Sequence, residues 1–211
     1  PTFRRFIQTV RKIFRKYDMS FITQGGDRPH IYGLLSSRRR FGLISDTSLS
    51  NLWKRALCKS YSIIDDKTYH TTIQNLLLVK SLGLVPITIV SPPSTPLPDH
   101  IEQSLLKPFC VIHISPRTRY KEYPLDNWKR VVKRLIKHGY FVYLTGIGAN
   151  DKRLTEEICM IDGTRIFNMV DQLSLAQTTS LLARARFYVG PDTSITHIAA
   201  AVGIPTVAVY G

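Results

Sequence analysis

The sequence predicts an α/β architecture with open, parallel, doubly wound sheets, and three observations carry that prediction. After residue 108, five short apolar runs alternate with stretches of helical period, the pattern of parallel strands joined by crossover helices. Upstream, SPPSTPLPDH at 91–100 has four prolines in ten residues and divides the chain. The closing stretch, VGPDTSITHIAAAVGIPTVAVYG at 189–211, runs from an apolar strand through Gly-Pro-Asp-Thr-Ser into an Ala-rich helix and on to another strand.

The elements follow in order. Phe3, Phe6, Ile7, Val10, Ile13, Phe14 and Tyr17 recur at helical spacing, predicting an amphipathic helix over 3–17 with arginines and lysines on its other side. MSFIT (19–23) reads as a strand, QGGDRPH (24–30) as a turn and RRFGLIS (39–45) as a strand. Residues 46–67 carry no single period. TYHTTIQNLLLVKSLGL (68–84) predicts a helix stopped by Gly83. Beyond the prolines, strands are expected at 109–114, 140–145, 165–169, 186–190 and 205–211. Helices are expected at 125–139, 151–160, 174–185 (capped by Ser174) and 194–202.

Composition narrows the function. The 211 residues are 44% hydrophobic and 21% charged, an ordinary globular balance, and no run approaches the roughly 18 apolar residues of a membrane span. The basic first helix does not read as a secretory signal. Cys58, Cys110 and Cys159 are odd in number and far apart, as expected of reduced thiols in the cytoplasm and not of a disulfide framework or a zinc site. The net charge of +14, concentrated in RRFIQTVRKIFRK (4–16) and SSRRRFG (36–42), attracts nucleic acid, acidic lipid headgroups or phosphorylated glycolipids, or serves only as a solvated face.

In a doubly wound sheet, ligands bind beyond the carboxyl ends of the strands. Two strand ends here carry suitable chemistry: HISPRTRYKEYP (113–124) and VGPDTSITH (189–197). In the second, Asp192, Thr193 or Ser194 supplies the helix cap, and the first-turn amides and helix dipole favour an anion. Small side chains at 193 and 194 let a phosphate reach the backbone, and Ala199, Ala200 and Ala201 let the helix lie close on the sheet. An ordinary capped crossover helix is the other reading of the same residues.

DTSITHIAAAVGIPTVAVYG resembles the signature of glycosyltransferase family 9, the heptosyltransferases of bacterial lipopolysaccharide core assembly. HISPRTRYKEYPLDNWKRVVKRL, YLTGIGANDKRLTEEI and MVDQLSLAQTTSLLARARFYVG are similar to the segments that precede that signature. KYDMSFITQGGDRPHIYGLLSSRRRFGLIS and YHTTIQNLLLVKSLGL resemble the second half of the family's N-terminal domain. Two positions depart from the pattern: Ser194 stands where the family often has Gly, and Tyr123 where Lys-x-Trp-Pro has Trp.

The resemblance implies a GT-B type fold: two Rossmann-like doubly wound domains, both incomplete in a chain that reads as an internal piece. Residues 1–90 would be part of an acceptor-side domain, 91–108 a linker and 109–211 a nucleotide-sugar-binding domain. The implied reaction is inverting transfer of a sugar, heptose from ADP-heptose, to a lipopolysaccharide core or lipid A acceptor. No cofactor and no metal are implied; the nucleoside-diphosphate sugar is a substrate. Lys121 would clamp the diphosphate, with Arg117 and Arg119 on its loop or merely solvated.

Asp192, Thr193 and Ser194 would form the diphosphate turn, with Asp192 acting mainly as a cap. His197 would touch the donor, tie the loop down, or be structural. Thr145 and Gly146 end a strand facing the same crevice. Asp151 would hold the ribose or cap a helix, and Leu173 would meet the adenine or sit in the core. The catalytic base is expected before residue 1; Asp27 is the candidate within the chain, with a cap or acceptor-side role as its other reading. Arg28, Arg38, Arg39 and Arg40 would face the anionic glycolipid, with peripheral contact to the cytoplasmic face of the inner membrane. Two rivals are a non-catalytic basic module binding nucleic acid or another polyanion, for which no motif is present, and a nucleotide-sugar epimerase.

Overall fold

Apolar residues that alternate between two faces of a strand must be covered on both, and the second half of the chain is built that way. The computed structural model describes residues 3–116 and 118–210. The chain forms two compact units, Pro1–Thr88 and Ile89–Gly211.

In the second unit, five parallel strands, β4 (Phe109–His113), β5 (Phe141–Thr145), β6 (Ile166–Asn168), β7 (Tyr188–Pro191) and β8 (Thr206–Val209), lie in the order β6-β5-β4-β7-β8. Phe109, Val111, Tyr143 and Tyr188 fill one face beneath α8 (Leu175–Leu182) and α9 (Ser194–Val202). Cys110, Ile112, Val142 and Leu144 fill the other, beneath α6 (Leu125–Lys137) and α7 (Gly148–Cys159). The helix α6 shows why: Trp128, Val131, Val132, Leu135 and Ile136 form one apolar stripe, while Arg130, Lys133, Arg134 and Lys137 are exposed. Leu144 is fully buried, so Leu144→Ala would cost roughly 2–5 kcal/mol in this close-packed layer.

From β4 the chain moves outward to β5 and β6, then returns across β4 to β7 and β8. Loops leaving β4 and β7 therefore diverge, and a crevice opens at their carboxyl ends.

The expected linker at 91–108 is corrected by this structure. Leu97 and Ile101 are buried in the second unit's core, and residues 99–104 form α5 (Asp99–Ser104). The stretch is strapped to α8: Ser180 Oγ donates to Thr95 O at 2.5 Å and lies 2.8 Å from Ser94 Oγ. Prolines mark where regular structure stops, but two apolar anchors suffice to hold an irregular segment down.

The first unit has helices α1 (Phe3–Ile13), α2 (Asp27–Ser36), α3 (Leu52–Leu57) and α4 (Thr71–Lys80). Its parallel sheet is ordered β1 (Tyr17–Ile22), β2 (Ser37–Ile44), β3 (Ser60–Ile63). The turn expected at 24–30 gives way to α2 from Asp27 onward. Pro29 sits in its first turn, where no backbone donor is missed. Gly33 lets this helix approach β1, because a Cβ there would come within 2.6 Å of Ile22 Cδ1. The unassigned 46–67 stretch holds α3 and β3.

Candidate functional site

At the switch point, the turn from β7 into α9 is locked from below. Thr196 Oγ1 donates to Pro191 O at 2.5 Å and lies 3.1 Å from Tyr188 Oη. Tyr188 lies across Gly190, where a Cβ would fall 2.0 Å from its hydroxyl and 3.0 Å from His113 O, so only glycine fits. The residue before α9 is Thr193, extended at φ −139° and ψ 173°, and no side chain caps the helix. Asp192 is thus not the cap expected of it. Its Oδ2 instead accepts from Lys121 Nζ at 2.5 Å, across from the turn that follows β4. The reason is spatial: the diverging loops bring a cation opposite the carboxylate, and the charged pair outcompetes a local cap. The hydrogen bond from Lys121 holds the Asp192 carboxyl below the usual carboxylate range, and Asp192 raises the lysine in return.

The floor comes from β4 and β5. His113, ending β4, is within 2.9 Å of Thr145 O through Nδ1. Burial pushes its pKa down, against the raising effect of that hydrogen bond. Thr145 is buried, its Oγ1 3.5 Å from Ile112 O. No side chain caps α7, and the residue before that helix is Ile147; Asp151, in its first turn, folds back and accepts from Ile147 N at 2.9 Å. Gly146 makes room for it, since a Cβ there would lie 2.7 Å from Asp151 Oδ2. Asp171 accepts from Gly148 N at 2.8 Å and completes that loop.

These groups line one cleft of about 710 Å³. Lys121, Asp192, Thr193, Ser194, Thr145, Gly146, Asp151 and Leu173 all border it, with Ile147, Leu175 and Ile195 adding an apolar wall. His197 does not line it; its ring is 77% exposed, with Nε2 3.5 Å from Asp192 Oδ1. Arg117 lies outside the described residues, and Arg119 is exposed. Sequence reasoning gave no role to His113, Ser115 or Thr178, which also border the cleft. For His113 the signal was its place at a strand's carboxyl end. Among the described residues, no group of three or more His, Cys, Asp or Glu is placed to hold a metal ion.

A profile of glycosyltransferase family 9 (heptosyltransferase) matches residues 92–211, more than half of the chain. The chain belongs to glycosyltransferase family 9. A family relative, lipopolysaccharide heptosyltransferase 1 of Salmonella typhimurium (strain LT2), is 25% identical over 113 residues, 53% of this chain and 35% of that protein. The aligned stretch thus spans about a third of that relative. Among solved structures, E. coli heptosyltransferase WaaC with ADP is similar with a TM-score of 0.71 at 19% identity, covering 97% of this chain and 67% of that one. WaaC with ADP-2-deoxy-2-fluoro heptose gives 0.70 at 18% identity, covering 97% of this chain and 65% of that one. The fold class is the GT-B type of these family 9 enzymes. Where the family motif has Trp, Tyr123 keeps an aromatic, edge-on to Trp128 with ring centroids 5.2 Å apart.

The residues that family likeness put on the acceptor side fall apart into two groups. Arg28, Arg38 and Arg39 are exposed. Arg40 is fastened inward, donating through Nε to Leu57 O and through Nη1 to Ser37 O, each at 2.7 Å. It is a structural tie. Asp27 is held by Lys54, Nζ to Oδ1 at 2.6 Å, and the same ammonium donates to Gly25 O at 2.8 Å.

Proposed function

We propose that the second unit is the donor half of an inverting glycosyltransferase that moves heptose from ADP-heptose to a lipopolysaccharide core or lipid A acceptor. One observation carries this reading: Lys121 stands across the cleft from the uncapped N-terminus of α9, at the switch point of a doubly wound sheet. A diphosphate there would meet an ammonium, backbone N–H groups and the positive end of a helix dipole. The apolar wall of Leu173, Leu175 and Ile195 suits a flat base. The ADP and fluoro-heptose analogue held by WaaC support that ligand class.

In the reaction, a base takes the proton of an acceptor hydroxyl, whose oxygen attacks the anomeric carbon as the nucleoside diphosphate leaves. Lys121 and the α9 amides stabilise the charge that gathers on the departing β-phosphate. Asp27, paired with Lys54, is not assigned as the base. The acceptor is an anionic glycolipid, met by the basic face of α1 with Arg28, Arg38 and Arg39 at the cytoplasmic side of the inner membrane. No helix among the described residues is long and apolar enough to cross a membrane.

The test is ADP binding by the wild-type chain and by Lys121→Ala, measured calorimetrically. Loss of a charge-assisted hydrogen bond should weaken ADP by about 1.5–3 kcal/mol, on the order of 10- to 100-fold. Equal affinity would remove Lys121 from the donor site.

A further inference from the structure

Lys121, the cation best placed for a diphosphate, is already engaged. Its ammonium and the Asp192 carboxylate are each about three-quarters shielded from solvent, at 27% and 25% exposure. Asp192 does not cap α9, the turn is locked by Thr196 and Tyr188, and the other Asp192 carboxylate oxygen lies 3.5 Å from the exposed His197. Beside it, the buried Thr193 hydroxyl faces the Tyr188 side chain but has no partner in hydrogen-bond geometry among the described residues, and α9 has no side-chain cap. So the anion-binding groups lie together, and the anion now on the lysine is the protein's own. Among the described residues, Tyr120, Tyr210 and His197 are the other titratable groups near the pair.

We infer that Asp192 is an internal stand-in for the donor's diphosphate, holding Lys121 across the cleft until a phosphate displaces it. This rests on the donor-cleft reading above. A carboxylate in this place has two effects on an incoming phosphate. It competes for Lys121, and it repels the new negative charge. It also keeps the long lysine side chain ordered when the cleft is empty, in place of a freely rotating ammonium. After transfer, the departing nucleoside diphosphate carries more negative charge at its terminal phosphate than the sugar-linked donor does. A nearby carboxylate repels that product more than the donor and so favours its release. Asp192 is on this account a positioning residue, with an effect on phosphate affinity opposite in sign to that of a direct ligand.

The sign makes the test sharp. ADP affinity is measured for the 211-residue chain as wild type, Asp192→Asn, Lys121→Ala and the double variant, with thermal unfolding to verify each fold. Asp192→Asn should bind ADP roughly two- to fivefold tighter, the scale of a partly exposed ion pair. The double variant should bind no tighter than Lys121→Ala, because the gain runs through the lysine. Asp192→Ser, which also removes the charge, should reproduce the gain. Equal or weaker binding by Asp192→Asn would overturn the inference, as would an equal gain in the lysine-free background. ADP binding that ignores Lys121→Ala would sink the donor-cleft reading itself. A loss in Lys121→Ala with no gain in Asp192→Asn would leave that reading standing and remove the stand-in.

Discussion

Gly190→Ala tests whether the β7–α9 turn is built as described, because its cost can be worked out atom by atom. The added methyl would fall 2.0 Å from Tyr188 Oη, 2.6 Å from Tyr188 Cζ and 3.0 Å from the backbone oxygen of His113. Tyr188 is fully buried and its hydroxyl lies 3.1 Å from Thr196 Oγ1, so the ring cannot swing away without breaking that contact. Overpacking of this kind costs about 1–3 kcal/mol, and a buried hydroxyl deprived of its partner about 1–3 kcal/mol more. A total of about 2–6 kcal/mol is a large part of a domain's stability.

Guanidinium unfolding followed through Trp128, buried in the same unit, should show the unfolding free energy falling by that amount. Adding Tyr188→Phe should recover part of the loss, since it removes the atom in closest conflict. The turn also aims α9 at the cleft, so ADP affinity should drop in any Gly190→Ala protein that stays folded. An unfolding free energy within about 0.5 kcal/mol of wild type, the range of neutral surface changes, would refute the close-approach argument.

Two further outcomes are expected. Burial holds His30 and His113 below the ordinary histidine pKa, so the unfolded chain takes up protons that the folded chain refuses as pH falls below about 6.5. Stability should therefore be fully present above that pH and decline on acidification towards pH 5; His30→Gln should flatten part of the decline, and equal unfolding midpoints at pH 7.5 and 5.5 would contradict it. Ser180→Ala removes the ties to Ser94 and Thr95, and should cost about 1 kcal/mol and speed hydrogen exchange across residues 91–97; unchanged exchange would show that Leu97 and Ile101 hold the strap unaided.

The alternation of β4 through β8 with α6 through α9 is legible in the residues alone, because a buried parallel strand and an amphipathic helix each write their period into neighbouring residues. The α9 bounds, 194–202, were legible to the residue: Gly203, at φ +85°, ends the helix, and the small residues before Ser194 begin it. The cleft was legible too, since strand-end chemistry in a doubly wound sheet converges at the switch point whatever the side chains do. What those side chains touch is set by long-range packing. Asp192 is 71 residues from Lys121, so nothing local distinguishes a capping carboxylate from a paired one. Asp27 met Lys54, and Arg40 turned inward to two carbonyls, for the same reason. The proline-rich strap and α2 were misread because prolines and glycines report only which backbone geometries are allowed. Which of those geometries is adopted depends on burial, here of Leu97 and Ile101 against α8 and of Gly33 against Ile22, and burial belongs to the folded whole.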